Sequence, residues 1–286
     1  MPSAGLLRRV AREPGGAFGI LVVFGLLLVL LLAPMLATHG ASAQSIGERL
    51  GDPSSSHLLG TDQLGRDLFS RVLHGTRVAL GVAFPAVLGA LLIGLLLGVI
   101  AGYIGGWVDN ALVVIMDTLQ AIPAVILALA LLAVLGASLR NVIIVIVVSF
   151  APGYARVARA LVLAAKENAY IVAERALGAR DLRIVLVHIL PNIIAPLFIL
   201  LAMDLPTAIT VEAGLSFLGV GVQPPTPSWG VILADGFKYA RETPWPILSA
   251  SAALMLTTLG FTMLGEALRD VIDPRVSRVR RWRRAV

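Results

Sequence analysis

The sequence contains no cysteine, only two lysines and few charged residues of any kind. Without cysteine, the 286-residue chain can form neither disulfides nor thiolate metal sites. Charged residues make up 14% of the chain, whereas a typical soluble domain has about a quarter. Hydrophobic residues make up 58%. This deficit of charge predicts a protein whose main solvent is lipid.

Nucleotide-binding and catalytic motifs are also missing. Neither Lys166 nor Lys238 ends a G-x-x-x-x-G-K-[ST] loop, so the sequence lacks the usual cradle for nucleotide phosphates. It also lacks H-E-x-x-H and G-x-S-x-G. The sequence therefore predicts neither an enzyme nor a metal site, and its basic residues flank apolar runs instead of forming a face for nucleic acid. The four histidines are scattered singly along the chain: His39, His57, His74 and His188.

Six apolar runs divide the chain, each near or above the ~20 residues that a helix needs to cross the hydrocarbon core. Backbone polar groups must be satisfied within each run, so helices are the predicted structure. In the second run, Gly94, Gly98 and Gly102 form a ridge of small residues on which another helix can pack closely. The predicted fold is an all-α bundle of six transmembrane helices in one domain. The runs cover residues 17–37, 78–101, 111–135, 141–163, 192–211 and 246–264.

The positions of Lys and Arg predict the orientation. Most of the 23 basic residues lie in the N-terminal segment, in the 164–191 loop and in the C-terminal tail. With six spans these three segments share one side, so both termini and the loop are predicted to be cytoplasmic. Residues 1–77 then form the first helix and an outer loop, 78–268 form the core bundle, and 269–286 form a basic cytoplasmic tail.

The two ends of the chain each allow two interpretations. Three arginines before the first run, with "ASA" at 41–43, resemble a signal peptide. The run at 17–37 is longer than the roughly 7–15 apolar residues of a signal peptide, which favours an uncleaved helix. The tail "SRVRRWRRAV" with Trp282 is either a positive-inside anchor or a site for anionic lipid head groups.

Two long segments on the predicted outer side are rich in glycine, proline and aromatic residues. They cover residues 38–77 and 214–245. Neither is long enough for a separate soluble domain. We expect both to form ordered caps at the outer surface.

The stretch "ENAYIVAERALGARDLRIVLVHILPN" (167–192) is polar although it lies between two apolar runs. Its composition predicts a helix over 167–177, ended by Gly178 in a left-handed conformation. Asp181 is predicted to cap a second helix, which stops at Pro191. Small residues beside bulky apolar ones, rimmed by charge, suit docking into a groove of another protein. The alternative is an amphipathic helix that lies on the inner leaflet.

Four acidic residues lie in or near the apolar runs. Charge inside lipid is costly, so such residues usually face a bundle interior or a cavity. Asp117, Asp204 and Glu212 are therefore candidate polar residues of a translocation path. Alternatively, Asp117, Glu212 and Glu266 lie near span ends and reach the membrane interface, whereas Asp204 lies deeper, beside Pro206.

The polar stretch resembles the cytoplasmic EAA loop of permease subunits of ABC importers, with Gly178, Leu190 and Pro191 matching the family's glycine and Leu-Pro. Further stretches resemble the second permease of the dipeptide/oligopeptide/nickel branch. They are "LGTDQLGRDLFSRVLHGTR" (59–77), "GGWVDN" (105–110), "SFLGVGVQPPTPSWG" (216–230) and "LGEALRDVIDPR" (264–275).

The resemblance implies a type I ABC importer permease bundle in the bacterial inner membrane. Its implied partners are a homologous permease, two ATPase subunits, an extracytoplasmic solute-binding protein and membrane lipid. ATP and Mg are implied on the ATPase subunits, and no cofactor on this chain. In the family the loop forms a coupling helix that docks into the ATPase. The coupling residues expected here are Tyr170, Ala173, Glu174, Arg175, Ala176, Leu177, Gly178 and Ala179.

The sequence departs from the family at two places. Val172 stands where the family has glutamate, and Glu174 lies about 200° further around a helix. Val114 stands where the family often has arginine, which leaves Asp117 without that partner on its own helix.

The implied substrates are di- or oligopeptides, with nickel chelates and glutathione-like compounds as alternatives. A stand-alone channel and a membrane-embedded enzyme are more distant alternatives. The enzyme would need a convergent catalytic set inside the spans, and the sequence shows no convincing pair of nucleophile and base there.

Overall fold

A computed structural model describes residues 3–272, and the regular structure within this range is helical. The predicted all-α class is therefore confirmed. A short 3₁₀ turn at Ile46–Glu48 lies in the first long loop. Of the basic tail predicted over 269–286, residues 269–272 belong to the last helix, and the rest of the tail lies outside the described residues. In chain order the helices are α1 (Ser3–Val10), α2 (Pro14–Leu36), α3 (Leu68–Ile104), α4 (Gly106–Ala121), α5 (Ala124–Leu135), α6 (Leu139–Lys166), α7 (Ala169–Ala176), α8 (Asp181–Phe217), α9 (Trp229–Lys238) and α10 (Trp245–Ile272).

Five of the described helices are long and apolar enough to cross a membrane: α2, α3, α6, α8 and α10. Helices α4 and α5 qualify as a pair that bends by 92° at the break between them. Pro123 explains the break, because a proline disfavours helical backbone in the residue before it, and Ile122 is extended at φ −87° and ψ 125°. Counting the pair as one span gives the six spans predicted from the sequence.

Two of the spans are much longer than a bilayer requires. Helices α3 and α8 each have 37 residues, which corresponds to about 55 Å at 1.5 Å per residue. The hydrocarbon core is only about 30 Å thick. Each helix therefore extends beyond the apolar run that predicted it, and carries polar side chains out of the hydrocarbon.

Among the described residues, one compact unit contains residues 3–84, 132–142 and 202–272. In this unit α2 packs along α10 through small residues. A β-carbon on Gly19 would collide with the backbone of Leu264, and one on Gly260 would collide with Val22. Close approach of this kind is the usual basis of helix association in membranes.

The second compact unit contains residues 85–131 and 143–201. Here the predicted glycine ridge of α3 packs on α6. A β-carbon on Gly94 would collide with the Cβ of Tyr154, and one on Gly98 would collide with the Cβ of Ala158. The ridge is thus a packing face between two spans.

Helix α8 does not stop at Pro191, so that prediction is wrong. It passes through a π-helical stretch at Ile184–Ile189, where the Leu190 N–H donates to the Val185 carbonyl five residues earlier. In a regular α-helix the proline ring would clash with the carbonyl four residues before it. Local widening to π geometry accommodates the ring, as is common in membrane helices.

Candidate functional site

The predicted helix, turn and helix of the 167–192 stretch are present. Helix α7 ends at Ala176, and Gly178 is left-handed at φ +83°, as predicted. The Gly178 N–H donates to the Arg175 carbonyl and the Ala179 N–H donates to the Glu174 carbonyl, both at 3.0 Å. This pair of bonds is a Schellman motif, which needs the left-handed residue that glycine supplies at least cost. The turn fixes the direction in which α8 leaves.

A small apolar core holds α7 against the membrane helices. Ile171 from α7 and Ile184 and Ile189 from α8 have no exposed surface. Because one face of the segment is buried in this way, the other face is presented outward in a fixed orientation. The buried members of the core are Val162, Ala165, Ile171, Ile184, Ile189 and Ile193.

The outward face carries the apolar residues predicted for coupling. Leu177 is 84% exposed and Tyr170 is 43% exposed, and Ala173 and Ala176 are also exposed. Val172, in the position of the family's glutamate, is 58% exposed. Apolar side chains this exposed outside a long span suit burial by a partner or by lipid.

The start of α8 adds residues that sequence reasoning missed. Leu182 and Leu186 are 69% and 53% exposed. Both lie in the second helix that the sequence predicted within the 167–192 stretch, without identifying its exposed side. Their signal is the apolar spacing of four residues, which places them on one helix face.

Three charged residues of the segment contact other side chains of this chain. The Glu174 carboxylate is half-buried and lies 3.6 Å from His188 Nε2. The Arg175 guanidinium lies 5.5 Å from the centre of the Tyr103 ring, a cation–π distance. Asp181 does not cap α8, contrary to the prediction. Its Oδ1 accepts a hydrogen bond from the Tyr103 hydroxyl at 2.5 Å.

Tyr103, at the end of α3, therefore contacts several residues of the neighbouring helices, which the sequence did not predict. Lys166 Nζ lies 5.7 Å from the same ring and donates to the carbonyls of Gly102 and Tyr103 at 3.1 and 2.9 Å. These bonds connect the ends of α3 and α6 to the segment that carries α7.

A cavity of about 590 Å³ lies between α4 and α6. Asp117, a predicted path residue, faces it and pairs with Arg156 at 2.7 Å. Helix α6 thus supplies the partner that Val114 cannot. In the first turn of α4, Asp109 is bound through both carboxylate oxygens by Arg159, at 2.5 and 2.7 Å. The cavity is lined by Val113, Met116, Asp117, Gln120, Ala121, Arg156 and Arg159.

The other two predicted path residues lie on α8 in the other compact unit. Asp204 is half-buried. Glu212 has no exposed surface, and its Oε1 accepts hydrogen bonds from the hydroxyls of Ser216 at 2.8 Å and Ser228 at 3.0 Å. The carboxylate points into the protein, toward the residue that caps α9.

The segment before α3 is ordered by buried ion pairs. Asp62 Oδ2 lies 2.6 Å from Arg66 Nε and 3.3 Å from Arg71 Nε, and all three side chains are buried. Arg66 also lies 3.7 Å from Asp235 on α9. Charges buried together at these distances hold the "GTDQLGRD" motif in a single arrangement.

Two tryptophans attach the 214–245 segment to the same structure. Trp229 is buried and its indole N–H donates to the Val72 carbonyl at 3.0 Å. The Trp245 indole N–H donates to the Asp52 carboxylate at 2.9 Å. The two segments predicted to form caps therefore bond to each other.

A histidine lies at the centre of the first cap segment. His57 Nδ1 lies 2.9 Å from Asp67 Oδ1, and His57 Nε2 lies 3.0 Å from Glu48 Oε2. The hydrogen bond with Asp67 raises the pKa of His57, burial opposes the shift, and the hydrogen bond with Glu48 adds to it. The hydrogen bond with His57 in turn lowers the pKa of Glu48.

Comparison with known proteins agrees with the sequence motifs. The dipeptide transport system permease protein of Alkalihalophilus pseudofirmus is 40% identical over 258 residues, covering 90% of this chain and 85% of that protein. The glutathione transport system permease protein of Pectobacterium atrosepticum is 37% identical over 270 residues, covering 94% and 90%. A chain of the MetNI methionine ABC transporter, in an inward-facing conformation, matches with a TM-score of 0.58 at 22% identity, covering 72% of this chain and 98% of that chain.

The last of these likenesses shows the fold alone, and it is the type I importer permease fold that the sequence predicted. A family model described as "binding-protein-dependent transport system inner membrane component" matches residues 94–278. That range includes the glycine ridge, the cavity and the α7 segment. The chain therefore belongs to this family of multi-pass proteins of the bacterial inner membrane.

Proposed function

We propose that the chain is a non-catalytic permease subunit of an ATP-driven importer of di- or oligopeptides. The peptide assignment is supported by relatives named for dipeptide and peptide transport at 36–40% identity. A glutathione-like substrate is the second candidate, because a glutathione permease is 37% identical over nearly the whole chain. Nickel chelates stay a prediction of the sequence resemblance.

The proposed complex contains a homologous permease, two ATPase subunits that bind ATP and Mg, and an extracytoplasmic solute-binding protein. Hydrolysis is assigned to the ATPase subunits because this sequence has no phosphate-binding loop. Both termini and α7 are placed on the cytoplasmic side, as the distribution of Lys and Arg predicts. The segments at 38–77 and 214–245 then face the solute-binding protein.

The coupling site is proposed to be the exposed face of α7 with the start of α8. The observation that carries this proposal is the set of apolar side chains at Tyr170, Val172 and Leu177, which are exposed on a segment whose opposite face is rigidly packed. An ATPase cleft that buries them would move α7 as a rigid body. The bonds of Tyr103 and Lys166 would pass that movement to α3 and α6, which favours one of two bundle states over the other.

The cavity between α4 and α6 is proposed as part of the translocation path. The Asp117–Arg156 pair is more than half exposed on both sides and presents both charges to the cavity. A peptide carries an ammonium at one end and a carboxylate at the other. Asp117 can therefore release Arg156 and bind the ammonium, while Arg156 binds the carboxylate. Asp204 and Glu212 stay predictions, and Glu212 would need to break two hydrogen bonds to take part.

Leu177→Asp tests the coupling site. The side chain is 84% exposed, so the charge costs little in the isolated subunit, whereas burial of an unpaired carboxylate in an ATPase cleft is costly. We expect the variant to insert in the membrane and to lose copurification with its ATPase partner. Leu58→Asp is the matched control, since Leu58 is 52% exposed in the first loop. Retained copurification with full transport in Leu177→Asp would refute the coupling role.

Val172→Glu tests whether the family's acidic position matters here. Val172 is 58% exposed, so the glutamate fits without repacking the core under α7. We expect transport-coupled ATPase activity to change while the amount of assembled complex does not.

The substrate class is tested separately, by measuring uptake of labelled dipeptide and glutathione in the same reconstituted complex. Uptake of glutathione alone would replace the peptide assignment with the second candidate.

A further inference from the structure

Two histidines that are 18 positions apart in the sequence lie together in the first cap segment. The rings of His39 and His57 are stacked, with their centres 4.6 Å apart. Asp67, the residue before α3, presents one carboxylate oxygen to each ring. Its Oδ1 lies 2.9 Å from His57 Nδ1 and its Oδ2 lies 3.9 Å from His39 Nδ1. One atom from each of the three side chains lies within 4.8 Å of the others.

The neighbours of this cluster hold it in place. Asp67 Oδ2 accepts a hydrogen bond from the Ser70 backbone N–H at 2.8 Å. The His39 backbone N–H donates to Ser70 Oγ at 3.1 Å. The first turn of α3 therefore positions both the carboxylate and the residue that follows the first span. Backbone bonds of this kind would survive changes to the His39 side chain.

We propose that His39, His57 and Asp67 bind a divalent transition-metal ion of the Zn²⁺ class, with Glu48 orienting His57. Zinc–ligand distances of about 2.0–2.2 Å place neighbouring ligand atoms of a tetrahedral site roughly 3.4 Å apart. The observed separations are 2.9 Å to Asp67 Oδ1 and 3.9 Å to Asp67 Oδ2, and the three ligand atoms all lie within 4.8 Å of one another, so rotations of the side chains would bring them around one ion. Three protein ligands leave the fourth position for water.

The carboxylate of Glu48, which hydrogen-bonds to the second ring nitrogen of His57, supports a metal-binding role for this histidine. A histidine that binds a metal through one ring nitrogen usually donates its other N–H to a carboxylate or carbonyl, which fixes the ring. Glu48 Oε2 lies 3.0 Å from His57 Nε2 and fills that role. Two imidazoles and one carboxylate suit Zn²⁺, Ni²⁺ or Cu²⁺ better than Ca²⁺ or Mg²⁺, which prefer oxygen ligands.

The competing explanation is that His57 only bridges two carboxylates by hydrogen bonds. In that arrangement the His39 ring does not contact the carboxylate: its Nδ1 lies 3.9 Å from Asp67 Oδ2, beyond hydrogen-bond distance, and instead hydrogen-bonds to Thr38 Oγ1 at 3.0 Å. The His39 side chain thus separates the two explanations. It is also exposed, so its removal costs little in folding.

The test is a Zn²⁺ titration of the full-length chain in lipid nanodiscs, without a histidine tag. Mildly alkaline pH limits competition from protons on the imidazoles, and excess Mg²⁺ occupies unspecific carboxylates. We expect one Zn²⁺ per chain and a rise in the unfolding temperature, because binding to the folded state alone stabilises it. His39→Ala should weaken binding by at least about tenfold, and Glu48→Gln by about 10–100-fold.

His74→Ala is the matched control, because His74 lies on α3 and its ring bonds to the Ser70 carbonyl at 2.9 Å, outside the cluster. It should bind Zn²⁺ as the parent does. Co²⁺ should give the absorption of a tetrahedral site in the parent and lose it in His39→Ala. The proposal is overturned by the absence of saturable Zn²⁺ binding, by unchanged binding in His39→Ala, or by an equal loss in His74→Ala.

Discussion

The hydroxyl of Tyr103, at the end of α3, donates a 2.5 Å hydrogen bond to the carboxylate of Asp181, at the start of α8. The guanidinium of Arg175, on the short helix α7, lies 5.5 Å from the centre of the same ring. A membrane helix and the predicted coupling segment are thus connected by a bond between side chains 78 positions apart in the chain. A rigid connection of this kind is what a segment needs in order to transmit movement.

Replacing Tyr103 with phenylalanine should loosen α7 without unfolding the bundle. The ring beside Arg175 remains, and the hydroxyl that bonds to Asp181 is lost. Because the bond lies at the surface, we assign it about 1 kcal/mol, so hydrogen exchange at 169–183 should accelerate about fivefold. Tyr170→Phe is the control, since the Tyr170 hydroxyl has only a 3.3 Å contact with Asn192. Equal exchange in Tyr103→Phe and the parent would show that the bond does not hold the segment.

The two ion pairs between α4 and α6 should differ in strength. Arg159 makes two short bonds to Asp109, and the two side chains are only 31% and 13% exposed. Arg156 makes one contact with Asp117, and those side chains are 59% and 55% exposed. Double-mutant cycles with Arg→Gln and Asp→Asn should give a coupling free energy of about 1–3 kcal/mol for the first pair. Solvent screening should leave the second below about 1 kcal/mol.

The measurement is the free energy of unfolding in detergent micelles for each single and double variant. Both pairs join the same two helices, so the Arg156 cycle is an internal control for the Arg159 cycle. A coupling energy that is as large for the exposed pair as for the shielded pair would contradict the prediction. It would mean that burial does not set the strength of these bonds.

The features that the sequence predicted are those determined by short stretches of chain. An apolar run near 20 residues is helical in lipid because its backbone must bond within the run, although the run at 111–135 bends by 92° at Pro123. Gly178 ends α7 because few other residues accept a positive φ. The Tyr103–Asp181 bond depends on how distant segments pack, and no local pattern encodes it. The cluster around His57 was not predicted for the same reason, because its members are separated in the sequence by irregular loops.

For the glycine ridge, the spacing in the sequence correctly predicted helix packing in the structure. Gly98 was identified from its spacing, and the structure shows what the spacing permits: a β-carbon there would collide with Ala158 and the Ala155 carbonyl. Gly98→Ala should therefore destabilise the bundle by about 1–3 kcal/mol, as overpacking does.

Gly81→Ala is the matched control for Gly98→Ala. Gly81 lies on the same helix, and a β-carbon at this position would meet nothing within 4 Å. We expect Gly81→Ala to be neutral or slightly stabilising, because alanine is the better helix former. Thermal unfolding in the same detergent compares the two variants. Equal melting temperatures for both would argue that α3 does not pack on α6 through this ridge.

The buried carboxylate of Glu212 should be needed as an acceptor and not as a charge. Its Oε1 accepts from Ser216 and Ser228, and Ser228 Oγ in turn caps α9 by accepting from the Gly230 N–H at 3.2 Å. Glu212→Gln keeps a carbonyl oxygen for both hydroxyls, so stability should stay close to that of the parent. Glu212→Ala leaves both hydroxyls without their acceptor and should cost about 1–3 kcal/mol. Protease accessibility of the 217–228 loop reports the difference. A Gln variant as unstable as the Ala variant would show that the charge itself is required.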